Sequence, residues 1–136
     1  MIKHKTREGS FLNNLIENVD HVQIPVKDVD QAVGWYSEVL GLEPLTVYPH
    51  AAWLKFNSGP VLMLHFSSKN DKTLWLSNDG FPMPSFMFLT KDIELLHTTL
   101  QTHDVKIRLY EDHGFGWVIK FTDPFGNELG AYQPKK

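Results

Sequence analysis

The chain has no cysteine among its 136 residues, which removes disulfides, thiolate metal sites and cysteine nucleophiles together. It has no excess of either charge: 13 Lys and Arg against 16 Asp and Glu leave a net −3, too weak and too mixed to form a nucleic-acid footprint. No apolar run approaches the roughly 20 residues that span a bilayer. The basic start is followed by no apolar segment of signal-peptide length. A cytoplasmic protein with neither nucleic-acid nor membrane partners is the expectation. Also missing are a serine–histidine–acid order, a phosphate-cradling glycine loop and paired carboxylates in a shared apolar setting. Any reaction is therefore not legible from catalytic residues.

What is present is a repetition. Val26-Lys27-Asp28-Val29-Asp30 returns 64 positions later as Thr90-Lys91-Asp92-Ile93-Glu94. Each copy follows an alternating apolar stretch and opens an amphipathic one. A strand-to-helix junction repeated at half the length of the chain predicts two copies of one unit. At 136 residues the chain is one domain by size, or two half-domains on a shared core. Such a length buries roughly two-thirds of its unfolded surface.

The first unit begins at Asp20, where Val22, Ile24 and Val26 alternate with His21, Gln23 and Pro25, the period of a half-buried strand. Asp28 and Gln31 have capping-box spacing. Ala32, Val33, Tyr36, Val39 and Leu40 then mark one face of a helix that Gly41 ends. Strands are predicted at 45–48, 51–57 and 61–67. The second unit repeats the order, with a strand at 85–90, a helix opened by Asp92, and strands at 105–110, 116–122 and 129–133. Asp123-Pro124-Phe125-Gly126-Asn127 reads as a turn, since Pro124 presets φ, Asp123 bonds the backbone ahead and Gly126 accepts positive φ. The expected division is an N-terminal extension at 1–18 with a short helix, and a single domain at 19–134. The domain comprises units 19–67 and 84–134, joined by a connector at 68–83.

These features together resemble the vicinal oxygen chelate superfamily, which includes glyoxalase I, extradiol dioxygenases and bleomycin-resistance proteins. The matching stretches are 20–44, with its helix reading AVGWYSEVLGLEP, and 121–133, reading FTDPFGNELGAYQ. The resemblance implies an α+β fold of two tandem βαβββ units forming a curved, barrel-like mixed sheet cup with helices outside. It also implies a homodimer. In metal-binding relatives the ligands come from the first and last strand of each unit; here those positions fall on His21, Met63, Ser85 and Gly130. A thioether and a glycine cannot serve as hard ligands. The usual site therefore reads as largely lost, and no cofactor is expected. The alternative is a divalent metal held by His21 and His65, completed by Glu128 after a register shift or by a partner chain.

Strand parity divides the side chains. Val22, Ile24, Leu54, Phe56, Leu62, Leu64 and Phe66 form an apolar set for the core, joined by Trp117, Ile119 and Phe121 of the second unit. The opposite set faces the cup: His21, Gln23, Trp53, Lys55, Met63 and His65, with Ser85, Met87, Lys120 and Tyr132. Its mixture of flat aromatic area, thioethers and polar heads suits a pocket wall. Bland readings stand beside each choice: Trp53 as filler, Lys55 and Lys120 as solvated edges, Tyr132 as a simple hydrogen-bonding group. Trp75 and Phe81 either cap the pocket or cover the core edge, and Glu111 and His113 sit at a hairpin tip. No inward carboxylate is found to neutralise the lysines. The expected ligand is a small molecule with an aromatic or apolar body and an acidic or carbonyl oxygen. The second reading is a divalent-metal-dependent lyase or dioxygenase with a non-standard ligand set. The third is an interaction module acting through the N-terminal helix.

Overall fold

Alternation from position 21 puts every second side chain on one face of a pleated strand. The chain forms β1 there (His21–Val26), with Ile24 and Val26 buried. The computed structural model describes residues 15–135. Helix α1 (Val29–Leu40) follows as expected. The Asp28 carboxylate accepts the Gln31 N–H at 2.9 Å, satisfying one of the amides that a helix start leaves unpaired. Gly41 ends the helix at φ 75°, a conformation costly for residues with a Cβ. Three strands complete unit 1: β2 (Glu43–Val47), β3 (Ala51–Lys55) and β4 (Val61–Phe66). The sheet order is β1-β4-β3-β2, with β1 parallel to β4 and the other pairs antiparallel.

Unit 2 repeats this with β7 (Phe88–Leu89), α2 (Ile93–Thr102), β8 (Ile107–Asp112), β9 (Gly116–Thr122) and β10 (Glu128–Pro134), ordered β7-β10-β9-β8. The fold is α+β, two βαβββ units whose sheets each carry a helix on one face. Asp92 caps α2 as Asp28 caps α1, accepting the Leu95 N–H at 3.0 Å. Between the units the connector makes a small hairpin, β5 (Trp75–Leu76) with β6 (Pro82–Met83).

One core runs beneath both helices. Ile24, Tyr36, Leu54, Leu62 and Leu64 of unit 1 are contiguous with Leu100, Ile119, Phe121 and Leu129 of unit 2. Each such side chain contributes about 1.5–3 kcal/mol by leaving water. The units are also joined by a buried polar knot. Tyr36 donates from its hydroxyl to Asp123 Oδ2 at 2.7 Å, and Asn127 Nδ2 donates to the same oxygen at 2.7 Å and to the Pro25 carbonyl at 2.9 Å. Asn127 Oδ1 accepts the Thr73 N–H at 2.8 Å. Helix α1, strand β1, the connector and the β9–β10 turn thus meet at one place. Burial pushes the Asp123 carboxyl upward, against the pull of its hydrogen-bond donors.

Several expectations need correction. The strand foreseen at 85–90 is reduced to Phe88–Leu89, and the connector hairpin was not foreseen. Phe66 and Trp117, assigned to the core, are 45% and 37% exposed because both lie near strand ends. The bulge lies in β2, between Pro44 and Thr46, so the β3–β4 register is unbroken and the parity of Trp53 and Lys55 holds. Most of the expected N-terminal helix lies outside the described residues; Leu15 to Asp20 carry no helix. No helix among the described residues is long and apolar enough to cross a membrane.

Candidate functional site

The sheet faces turned away from the helices carry the candidate residues. In unit 1 three rows can be read across β1, β4 and β3: His21, Val61 and Lys55; Gln23, Met63 and Trp53; Pro25, His65 and Ala51. The middle row is the most ligand-like, an amide, a thioether and an indole side by side. Tyr48 meets Trp53 edge-on, with centroids 5.9 Å apart at 88°, and His50 stacks on Tyr48 at 6.2 Å. Sequence reading missed Tyr48 and His50, since both sit in the β2–β3 turn where parity has no hold.

His21 is engaged at both ring nitrogens. Nδ1 lies 3.0 Å from Asp20 Oδ2, and Nε2 lies 3.0 Å from Gln23 Nε2. With Gln23 donating, the ring carries its proton on Nδ1 and uses the Nε2 lone pair for the amide. His65 stands four residues further along than His21, roughly 13 Å at the usual strand rise, since the partner of His21 is Val61 and that of His65 is Pro25. Its Nδ1 lies 3.1 Å from the Phe66 carbonyl oxygen. The two histidines assigned to one metal are not brought together.

The remaining family positions do not supply the missing donors. Met63 is a thioether beside Gln23, and Ser85 is exposed. Gly130 has no side chain, and a Cβ there would sit 2.5 Å from the sulfur of Met87. Among the described residues no group of three or more His, Cys, Asp or Glu gathers to hold an ion. This donor set does not fit the family's divalent ion.

Unit 2 presents a different wall. Lys120 lies opposite Gly130 in the register, with Nζ 3.4 Å from the Met83 sulfur and 5.1 Å from the Phe81 ring centroid. Tyr132 donates its hydroxyl to the Phe115 carbonyl at 3.2 Å. Gly116 admits that ring, since a Cβ would meet Tyr132 Cε1 at 2.5 Å. The Glu128 side chain, 2% exposed, accepts from Arg108 Nε at 2.9 Å and from Nη2 at 2.5 Å, while its Oε2 has no partner. The expectation that no carboxylate faces inward is therefore wrong. Glu43 shares a row with Lys55 at 3.8 Å, and Glu128 lies on the same side of β10 as Gly130 and Tyr132. Arg108 escaped sequence reading because the irregularity in β8 between Ile107 and Leu109 breaks parity at that residue.

The Glyoxalase/Bleomycin resistance protein/Dioxygenase superfamily model matches residues 18–130. No curated protein matches at a significant level. Among solved structures, the chain is similar to TnmS3, an antibiotic binding protein from Streptomyces sp. CB03234, at 25% identity and TM-score 0.69, covering 90% of this chain and 100% of that one. It is similar to lactoylglutathione lyase from Agrobacterium tumefaciens at 18% identity and TM-score 0.65, covering 88% and 96%. It is also similar to TioX from Micromonospora sp. ML1 at 16% identity and TM-score 0.69, covering 88% and 100%. The last two likenesses concern the fold alone. The chain belongs to the Glyoxalase/Bleomycin resistance protein/Dioxygenase superfamily.

Proposed function

We propose that this member of the glyoxalase, bleomycin-resistance and dioxygenase superfamily holds a small, partly aromatic molecule against the open faces of its sheets, without a metal ion of the family's kind. The observation that carries the reading is the row Gln23, Met63 and Trp53, flanked by Tyr48. A flat indole beside a polarizable thioether offers area to an aromatic ring, and the amide offers donor and acceptor to a polar substituent. Stacking on Trp53 contributes about 0.5–1.5 kcal/mol beyond the area buried. The description of TnmS3 as an antibiotic binding protein supports sequestration as the role. A lyase or dioxygenase built on His21 and His65 has less support, since the register separates the two rings.

The reading includes a homodimer. Leu45, Val47, Tyr48, Met87 and Leu89 are large, apolar and exposed. A second copy covering them would complete the binding site.

The test is metal analysis of protein purified without chelator or affinity tag, paired with a tryptophan-fluorescence screen of aromatic molecules against wild type and Trp53→Leu. Metal-free protein that binds aromatics, with weaker binding in Trp53→Leu, is the expected result. A stoichiometric metal lost in His21→Ala would overturn the metal-free reading. Sedimentation at micromolar concentration checks the dimer separately.

A further inference from the structure

Three cations stand on the open faces, and two are matched. Lys55 faces Glu43, and Arg108 is bound to Glu128. Lys120 is different: among the described residues no carboxylate lies within ion-pair distance of it. The residue is half-buried, and its ammonium instead rests against the Met83 sulfur and the Phe81 ring. A thioether is a weak acceptor, and a ring face attracts a cation only modestly. The ammonium thus has two weak partners and, among the described residues, no counter-charge.

Both of its neighbours belong to the connector hairpin. That hairpin pairs only two residues per strand, marginal by itself. Trp75 is tied by its indole N–H to the Pro84 carbonyl at 2.9 Å and is 51% exposed, and Phe81 is 38% exposed. Phe81 thus stands open against the unmatched cation, and Trp75 lies across the hairpin from Met83, whose sulfur that cation touches.

We propose that Lys120 is the anchor for an acidic group on the bound aromatic molecule, and that Phe81 and Trp75 of the connector hairpin form the second wall of the site. The proposal rests on the binding reading above and assigns its ligand class, an aromatic acid. An acidic oxygen reaching Lys120 takes the ammonium from the sulfur and the ring, and frees the Phe81 face for the ligand body. Cationic aromatics are disfavoured because Lys120 repels them, while Glu43 faces Lys55 and Glu128 is buried against Arg108.

Two fluorescent probes separate the charge from the ring: anilinonaphthalenesulfonate and its sulfonate-free parent, phenylnaphthylamine. Titration of wild type is expected to show the sulfonate binding about 10-fold more tightly or better, the worth of a charge-assisted contact. Lys120→Gln should bring the two probes within about 2-fold of each other, Lys120→Arg should keep most of the gap, and Phe81→Ala should weaken both. A gap that survives in Lys120→Gln, or no gap in wild type, overturns the proposal. Trp53→Leu tests the underlying reading independently. Weaker binding of both probes in Trp53→Leu with the gap between them intact supports both ideas, whereas a gap dependent on Lys120 with no effect at Trp53 sinks the Trp53 wall and leaves the Lys120 anchor standing. Failure of wild type to bind either probe overturns both. Should Lys120→Gln not fold by circular dichroism, Lys120→Met replaces it with the same expected closing of the gap.

Discussion

The two units keep one order of elements and diverge on one face. Moving 64 positions along the chain, Val22 becomes Phe86 and Ile24 becomes Phe88, so the buried side stays apolar. On the open side His21 becomes Ser85 and Gln23 becomes Met87. The helix caps, by contrast, remain Asp28 and Asp92 with the same hydrogen bond. A repeat is thus held where burial and capping demand it and released where only a ligand would. On the wall of unit 1 Trp53 is half-buried and Tyr48, which meets it edge-on, is exposed. Unit 2 furnishes its own differently, placing Met87 over Gly130, the hairpin beside Lys120, and Arg108 on Glu128. On the reading proposed above, recognition through ring area falls to the first wall and recognition through charge to the second.

The sharpest break in that comparison is expected at Arg108. Glu128 is almost fully buried, and removing its partner leaves a buried charge unmatched, which typically costs 3–5 kcal/mol. Arg108→Ala should lower stability by about 3 kcal/mol in urea unfolding. Replacing the pair together, Arg108→Met with Glu128→Leu, should recover most of that loss, because apolar substitution of a buried pair is often neutral. A loss under about 1 kcal/mol in the single variant would mean that water reaches Glu128 and that the second wall is wetter than described.

Next in size is the knot that makes one domain of two units. Asn127→Ala removes the groups that satisfy the Thr73 N–H and the Pro25 carbonyl, and should cost about 2–3 kcal/mol, since each polar group left unpaired in the interior costs about 1–3. The transition should stay single, because the core is continuous across the units. Two separate transitions would show that the units fold independently.

Tyr36 gives the same junction a pH signature. Burial, and secondly Asp123, hold its hydroxyl proton well above the usual value. A group whose folded pKa is raised contributes stability that is complete below its unfolded value, about 10 for tyrosine, and is lost as pH rises toward the folded one. Stability should therefore fall above about pH 10. Tyr36→Phe should be less stable by about 1 kcal/mol at neutral pH and show a shallower alkaline decline. Equal slopes in the two proteins, read from urea midpoints across that range, would remove Tyr36 as the cause.

Much of this fold was legible because local rules and the global pattern agree. The repeated junction, the Asp28 and Asp92 caps, Gly41 and the Asp123–Asn127 turn each announce one local geometry. The long-range consequence of that turn was not legible. Nothing in Asp123 as a turn residue says that Tyr36, 87 positions away, donates to it. On the open face, parity located Gln23, Met63, Trp53 and Lys120 while strands ran regularly, and failed at Arg108 beside an irregularity. Parity also could not measure distance along a strand. His21 and His65 share a face and are nonetheless four residues apart in register.

The smallest expected effect sharpens the contrast between the walls. Lys55 and Glu43 sit 3.8 Å apart, with side chains 52% and 68% exposed, so solvent and salt screen the pair and ordering two long side chains offsets most of the attraction. Lys55→Ala should change stability by no more than about 0.5 kcal/mol, several times less than Arg108→Ala, although both remove a cation facing a carboxylate on an open face. Raising the salt concentration should erase what remains, whereas the cost at Arg108 should persist because burial excludes the screening ions. A Lys55 effect that is large and insensitive to salt would place this pair in a dry environment. That outcome would mean the first wall is covered, for which a second copy of the chain is the available occupant, and sedimentation of Lys55→Ala beside wild type would show whether self-association is lost with the charge.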